Sequence, residues 1–306
     1  MFMGTPAFAV PSLAALASAT DVTLVLCNPD RPSGRGRELA APPVKVEAAR
    51  LGIPVFQPLK ARHPEAVARV AAEAPDLIVV VAYGHILPKS VLDIPRIMPV
   101  NVNASLLPKY RGAAPIHWAV AGGETVTGVT VMRMDEGMDT GPMLHAREMP
   151  IGDDDTAESM YEKLSVLGAE ALLEALAMLR AGTLAETPQD GTRATYAPML
   201  KKEHGRIDWS RGAREIRDLV RGMTPWPSAV AAHGGKPLKV VSAAVAAEAG
   251  TAGAPGEVVA ADRGGVSVAC GAGVLLLRTV QPEGGKAMDA WAYAQGRRVA
   301  KGERLS

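Results

Sequence analysis

Two carboxamides, Asn101 and Asn103, stand in the segment Val100-Asn101-Val102-Asn103, which begins as a short strand. On an extended backbone a spacing of two residues turns both side chains to one side. A hydroxyl, a Leu-Leu-Pro corner and a Gly-rich turn follow at once in Ala104-Ser105-Leu106-Leu107-Pro108-Lys109-Tyr110-Arg111-Gly112-Ala113-Ala114-Pro115-Ile116. A second polar centre lies at Met134-Asp135-Glu136-Gly137-Met138-Asp139-Thr140-Gly141, whose glycines let the chain turn sharply around Asp139. These letters describe one loop with two amide donors and another with a carboxylate that could meet them. They also describe an Asn-rich strand end followed by an ordinary turn.

The surrounding segments have the rhythm of an open α/β sheet. Met1-Phe2-Met3-Gly4-Thr5-Pro6 reads as a strand end and tight Gly turn, residues 8–18 as an amphipathic helix with Pro11 near its start, and 21–27 as a β-branched strand. Residues 44–50, 53–56 and 64–73 continue as helix, strand and helix. Residues 76–82 (DLIVVVA) form a near-continuous apolar run, as expected of a central parallel strand covered on both faces. That run ends at Tyr83-Gly84-His85-Ile86-Leu87-Pro88. Ligands of open α/β sheets bind at such carboxyl ends. An apolar loop there, beside the Leu106-Leu107-Pro108 corner, could clamp a flat heteroaromatic ring. A helix over 115–121 and extended runs over 128–134 and 143–149 follow. Asp153-Asp154-Asp155-Thr156 then reads as the acidic cap of a long helix over 157–181, not as a metal site.

Residues 187–198 (TPQDGTRATYAP) read as a linker. Beyond it, a helix over 213–222 and short β-like runs at 238–242, 256–260, 265–270 and 273–280 suggest a small barrel of the oligonucleotide-binding (OB) type. The expected fold class is α/β: a doubly wound, mostly parallel sheet over 1–186, a linker over 187–203 and a smaller OB-like β-barrel over 204–306.

At 306 residues, 48% apolar and 21% charged, the chain has an ordinary globular composition and ample length for a core. No run of eighteen apolar residues and no basic segment leading into an apolar one appears, so neither a membrane span nor a secretory signal is expected. Cys27 and Cys270 are far apart without ligand spacing and read as buried free thiols of a cytoplasmic protein. The net charge of +1 hides an asymmetry. The first 200 residues carry 17 basic and 22 acidic side chains, the rest 16 and 10. A basic second part hints at a polyanionic partner, though a solvated face explains it as well. The polar stretch 28–43 (NPDRPSGRGRELAAPP) holds Arg31, Arg35 and Arg37. It reads either as a phosphate-contacting loop or as a solvated one.

Segments 101–116 and 134–141 resemble the active-site segment of the folate-dependent formyltransferases, most closely the branch that formylates methionyl-tRNA. Members read Asn-x-His-x-Ser-Leu-Leu-Pro, then Arg-Gly-Ala-Ala-Pro-Ile, then an Asp in a Gly-x-Asp-Thr-Gly turn. This chain keeps each element except the histidine, where it has Asn103. Ile207-Asp208-Trp209, Pro225-Trp226-Pro227 and the turn at 281–286 match as well. The resemblance spans nearly the whole chain, strongest over 76–145 and weakest over 243–265. Family members begin a few strand residues before Phe2, so the first strand here looks clipped or mis-started.

The resemblance implies formyl transfer from N10 of 10-formyltetrahydrofolate to the methionine α-amine of initiator tRNA, without a metal, by a monomer. It implies catalytic roles for Asn101, Asn103 and Asp139. It implies a pterin pocket from Tyr83, Gly84, Ile86, Leu87, Pro88, Ser105, Leu106, Leu107 and Pro108, with His85 a bystander. It implies tRNA contacts from Arg31, Arg35 and Arg37, in an insertion that grips the acceptor stem, and from Lys201, Lys202 and Lys286. Attack of a neutral amine on a formamide-like carbon builds an oxyanion, needs a group to handle the amine proton, and needs a proton for the leaving N10. Asn101 can supply an oxyanion donor. Asn103 can donate a hydrogen bond but cannot exchange a proton near neutral pH. The expected protein therefore folds and binds normally and turns over slowly, whether Asn103 is natural divergence or an inactivating change. The rival readings are a formyltransferase acting on glycinamide ribonucleotide or an amino-sugar nucleotide, a hydrolase of formyltetrahydrofolate, and a catalytically impaired RNA-binding homologue. A dinucleotide oxidoreductase lacks its GxGxxG after the first strand.

Overall fold

A computed structural model describes residues 1–33, 38–250 and 252–306. The chain builds two compact units, one from Met1–Pro115, Val126–Pro150 and Tyr161–Ala197, the other from Ile116–Thr125, Ile151–Met160 and Pro198–Ser306. The first unit begins β1 (Phe2–Gly4), α1 (Val10–Ala19), β2 (Val25–Leu26), β3 (Arg31–Ser33), β4 (Glu38–Ala40), α2 (Pro43–Arg50), β5 (Val55–Phe56) and α3 (Pro64–Ala72). It continues through β6 (Leu77–Val81), α4 (Lys89–Leu92), β7 (Met98–Asn103) and β8 (Arg111–Gly112). α5 (Pro115–Ala121) enters the second unit, and β9 (Val126–Arg133), β10 (Met143–Pro150), α6 (Ala157–Arg180) and β11 (Tyr196–Ala197) follow.

The main sheet has the order β10-β9-β7-β6-β1-β2-β5. β5, β2, β1, β6 and β7 are parallel, while β9 and β10 are antiparallel. From β1 the chain moves outward to β2 and β5, then crosses back to β6 on the other side of β1. That reversal opens a crevice at the carboxyl ends of β1 and β6, where ligands of such sheets bind. Ile78 to Val81 are buried, as a two-faced central strand requires. On β7 the alternation decides the site. Val100 and Val102 are buried, and a Cβ on Gly168 of α6 would come within 3.1 Å of a Val102 methyl. Period two then turns Asn101 and Asn103 to the other face. α6 starts where Thr156 and Ser159 exchange bonds: the Ser159 N–H donates to Thr156 Oγ1 (3.2 Å) and the Thr156 N–H to Ser159 Oγ (3.0 Å).

The stretch read as a loop over 28–43 instead carries a hairpin, with Arg31 opposite Ala40 and Pro32 opposite Leu39. Strand pairing satisfies backbone groups that a bare loop would leave to water. Only Val25 and Leu26 of the strand expected over 21–27 pair in the sheet.

The second unit is built from α7 (Ala213–Gly222), β12 (Ala229–His233), β13 (Lys236–Ala247), β14 (Val258–Asp262), β15 (Gly265–Ala269), β16 (Val274–Pro282), β17 (Met288–Asp289) and α8 (Ala290–Arg297). Its antiparallel sheet runs β12-β13-β16-β15-β14, with β17 on β16. Register shifts along β13 bend it, as bulges do. Buried Ile216, Leu219 and Val220 form the apolar face of α7, while Arg221 donates to the carbonyls of Gly152 and Asp155. Among the described residues the ladder runs from β12 to β14 with no pairing between those two strands. The chain end joins its outer strands. Ser306 N–H donates to the Ala232 carbonyl (2.9 Å), and Leu305 N–H to that of Gly256 (2.8 Å). No helix among the described residues is long and apolar enough to cross a membrane.

Candidate active site

The end of β7 and the turn after β9 meet at Asp139. Asn103 is 6% exposed, and its Oδ1 accepts from the Ser105 hydroxyl at 3.0 Å. With that oxygen taken, the amide N–H groups are what it can offer Asp139, whose carboxylate only accepts. Asp139 Oδ2 also accepts the Gly112 N–H at 2.8 Å. Asp139 has φ +56°, an uncommon conformation for a non-Gly residue that Asp tolerates better than most. Burial pushes its carboxyl above the ordinary value of 3.8. The Gly112 N–H, the Asn103 amide and the Arg111 charge pull it back, and Asp135 pushes it further up. Asn101, one pleat earlier on the same face, is half-buried and makes no side-chain hydrogen bond among the described residues.

Buried polar groups fix the corner between these residues. Ser105 is 1% exposed, and its carbonyl accepts the Thr130 hydroxyl (2.7 Å), which in turn accepts the Leu107 N–H (3.1 Å). Leu107 is buried, Leu106 and Pro108 are half-buried, and the Leu107–Pro108 peptide is cis. At the end of β6 the Tyr83 side chain is buried, its hydroxyl without a partner among the described residues and pushed up to about 12 by burial. Its carbonyl accepts from Asn28 Nδ2 (3.3 Å) and Thr5 Oγ1 (3.4 Å), which stitches together the ends of β1, β2 and β6. His85, set aside in the sequence, contacts Asn28 Oδ1 through Nε2 at 2.5 Å. Gly84 has φ +81°, Leu87 is buried, Pro88 caps α4, and Ile86 is 81% exposed. A cavity of about 410 Å³ opens beside Met134, Asp135 and Glu136, with Lys89, Leu92 and Pro99 on its wall. None of the residues expected to hold the pterin lines it.

Arg31 is exposed at the start of β3, and Arg35 and Arg37 lie outside the described residues. Lys201, Lys202 and Lys286 are exposed on the second unit, Lys201 with Glu203 3.8 Å away. Sequence reasoning missed Gln189, Thr130 and Thr195. Gln189 Nε2 donates to the carbonyls of Asp139 (2.8 Å) and Gly141 (2.7 Å), while its Oε1 accepts from Arg111 Nε (3.1 Å) and Nη2 (2.7 Å). Thr195 accepts the N–H groups of Tyr110 and Arg111 through its hydroxyl and carbonyl, both at 2.8 Å. The segment read as a linker is a strap across both site loops. Its polar letters carried no periodicity to signal this.

The Asn103 amide, the Gly112 N–H and a half-buried carboxylate meet beyond the carboxyl end of the parallel strand β7. The chain belongs to the formyl transferase family. The family model described as formyl transferase matches residues 2–176, and that of the formyl transferase C-terminal domain matches 199–298. It is 54% identical over 303 residues to the methionyl-tRNA formyltransferase of Sorangium cellulosum (strain So ce56), covering 99% of this chain and 97% of that one. It is 52% identical to the methionyl-tRNA formyltransferase of Geotalea uraniireducens (strain Rf4), covering 100% and 97%. Among solved structures it is similar in fold to HypX from Aquifex aeolicus in complex with tetrahydrofolic acid, with a TM-score of 0.58 and 23% identity. That match covers 84% of this chain and 45% of that chain, so this chain spans less than half of HypX.

Proposed function

We propose that this chain transfers the formyl group of 10-formyltetrahydrofolate to the methionine α-amine of initiator methionyl-tRNA, in the cytoplasm, as a step of translation initiation. The observation that carries the reading is the convergence at Asp139 of the Asn103 amide and the Gly112 N–H. Asn101, whose carboxamide makes no hydrogen bond among the described residues, is the donor for the oxyanion that forms when the amine attacks the formyl carbon. One such aimed donor contributes roughly 2.7–4 kcal/mol. Asp139 takes the amine proton, directly or through a water, and passes it to N10 as the bond from the formyl carbon to N10 breaks, and Asn103 orients the carboxylate. Ile86 and the Leu106–Pro108 corner offer apolar surface to a flat pterin. The high exposure of Ile86 fits a side chain that a ligand covers. The full-length likeness to tRNA-formylating relatives supports tRNA as the acceptor. The C-terminal sheet, joined at its edges by the chain end, is then the OB-like tRNA-binding barrel, with Lys201, Lys202 and Lys286 facing phosphate.

The test is single-turnover transfer of radiolabelled formyl from 10-formyltetrahydrofolate to charged initiator tRNA, run beside glycinamide ribonucleotide and an amino-sugar nucleotide. Label appearing on tRNA alone is the expected result. Label on a small amine, or formate released without an acceptor, would overturn it.

A further inference from the structure

We infer that Gln189 is a positioning residue for the Asp139 carboxylate, gripping the backbone that aims it and the guanidinium that faces it. The inference rests on Asp139 acting in formyl transfer. Gln189 uses its whole hydrogen-bonding capacity: two N–H groups on the carbonyls of Asp139 and Gly141, and its oxygen on two N–H groups of Arg111. The orientation of this amide is forced, because Arg only donates and the two carbonyls only accept. One bond falls on the carbonyl of Asp139 itself, whose φ of +56° needs support from its surroundings.

The other side of the amide matters as much. Arg111 is 6% exposed, and its guanidinium meets a neutral amide on Gln189. Arg111 immediately precedes Gly112, whose N–H binds Asp139 Oδ2 at 2.8 Å. Its positive charge also opposes the burial that raises the Asp139 pKa. Gln189 is itself held from both flanks. Thr187 exchanges two backbone bonds with Met143 (2.8 and 2.9 Å), and β11 pairs with β8. A residue so anchored can hold Asp139 still. A carboxylate in its place would neutralise Arg111 and face the two carbonyls without donors.

The experiment compares Gln189→Ala, Gln189→Glu, Asp139→Asn and the double variant Gln189→Ala/Asp139→Asn in single-turnover transfer across pH, with folate KM and thermal melting measured in parallel. Gln189→Ala should slow transfer by ~10–100-fold, the scale of a misplaced reacting group, with folate KM unchanged. The double variant should be no slower than Asp139→Asn alone, since a residue acting through another adds nothing once that residue is gone. Gln189→Glu should move the acid limb of the rate profile to higher pH. A Gln189→Ala rate equal to the parent's, or losses that multiply in the double variant, would overturn the inference. If Gln189→Ala does not fold, Gln189→Glu decides: an unmoved acid limb overturns it. An inert Asp139→Asn substitution would instead remove the role of Asp139 itself, a distinct outcome.

Discussion

Replacing Asn103 with histidine probes the chemistry at its most unusual residue. Asn103 ends β7 buried and bonded to the Ser105 hydroxyl at 3.0 Å, and its amide is among the groups that pull the Asp139 carboxyl down. An imidazole can meet both partners, with one nitrogen donating to Asp139 and the other accepting from Ser105. The substitution thus keeps the polar contacts and adds a proton that exchanges near neutral pH. General acid–base catalysis of this kind is worth about 10²–10⁴-fold, or about 2.7–5.4 kcal/mol of barrier at about 1.36 kcal/mol per decade. The ring is larger than the carboxamide and enters a closely packed site beside Ser105, which is 1% exposed. Overpacking of that kind costs about 1–3 kcal/mol of stability. Asn103→His should therefore be faster and slightly less stable. The assay is single-turnover formylation of charged initiator tRNA with enzyme in excess, alongside a melting curve and folate binding. A folded, folate-binding histidine variant no faster than the parent would refute the reasoning, since proton exchange at position 103 would not be what limits the rate.

Other perturbations act on the same frame. Asp139→Asn removes a carboxyl whose pKa is raised by burial. For such a group the stability contribution is fully present below its unfolded value of 3.8 and lost as pH rises through the raised folded value. The Asn variant should therefore gain on the parent across that window and melt no lower at pH 7, while losing transfer; a clearly lower melting point at pH 7 would contradict the raised proton affinity. Gly112→Ala forces a side chain onto φ +123° and puts its Cβ 2.8 Å from the Ala197 carbonyl oxygen. It should cost about 1–3 kcal/mol, seen by denaturation, and slow transfer because the Gly112 N–H leaves Asp139. Cys27 and Cys270 are buried, and burial pushes both thiols to about 11. Neither should react with iodoacetamide at pH 8 until the protein is unfolded, and rapid labelling of the native chain would show one of them to be accessible.

Much of the first unit was legible because its signals are local. The apolar run over 76–82 has the pattern of a covered parallel strand, and the spacing of Asn101 and Asn103 placed both on one face once β7 was extended. Pro115–Ala121 and Ala213–Gly222 carried helical patterns over their observed spans. What escaped was held together at long range. Gln189 lies 50 residues from the Asp139 carbonyl it binds, and nothing in its own segment names that partner. The hairpin beginning at Arg31 hid in a Pro- and Gly-containing stretch that resembles loop by composition. The chain end that joins β12 to the start of β14 pairs through only a few backbone bonds, too short for a periodic signature. α8 had a readable start in Asp289, whose carboxylate caps the Ala292 N–H, but the alanines after it give little amphipathic contrast.

The division of labour between Asn103 and Asp139 follows from their proton affinities. A carboxylate with a low pKa orients a neighbouring imidazolium well and accepts protons poorly. Burial drives Asp139 the other way, and the neutral Asn103 amide opposes that rise only through a hydrogen bond, without the full charge an imidazolium would bring. Asn103 itself cannot take up the proton that the attacking amine releases. The titration visible in the rate should then belong to Asp139. The acid limb of the parent's pH profile should lie above 3.8 and vanish in Asp139→Asn. In Asn103→His the imidazolium should pull the carboxyl down, and a new limb should appear nearer the ordinary histidine range of about 6.5. A parent profile flat from pH 4 to 8 would place the proton on solvent throughout and leave Asp139 with an orienting role alone.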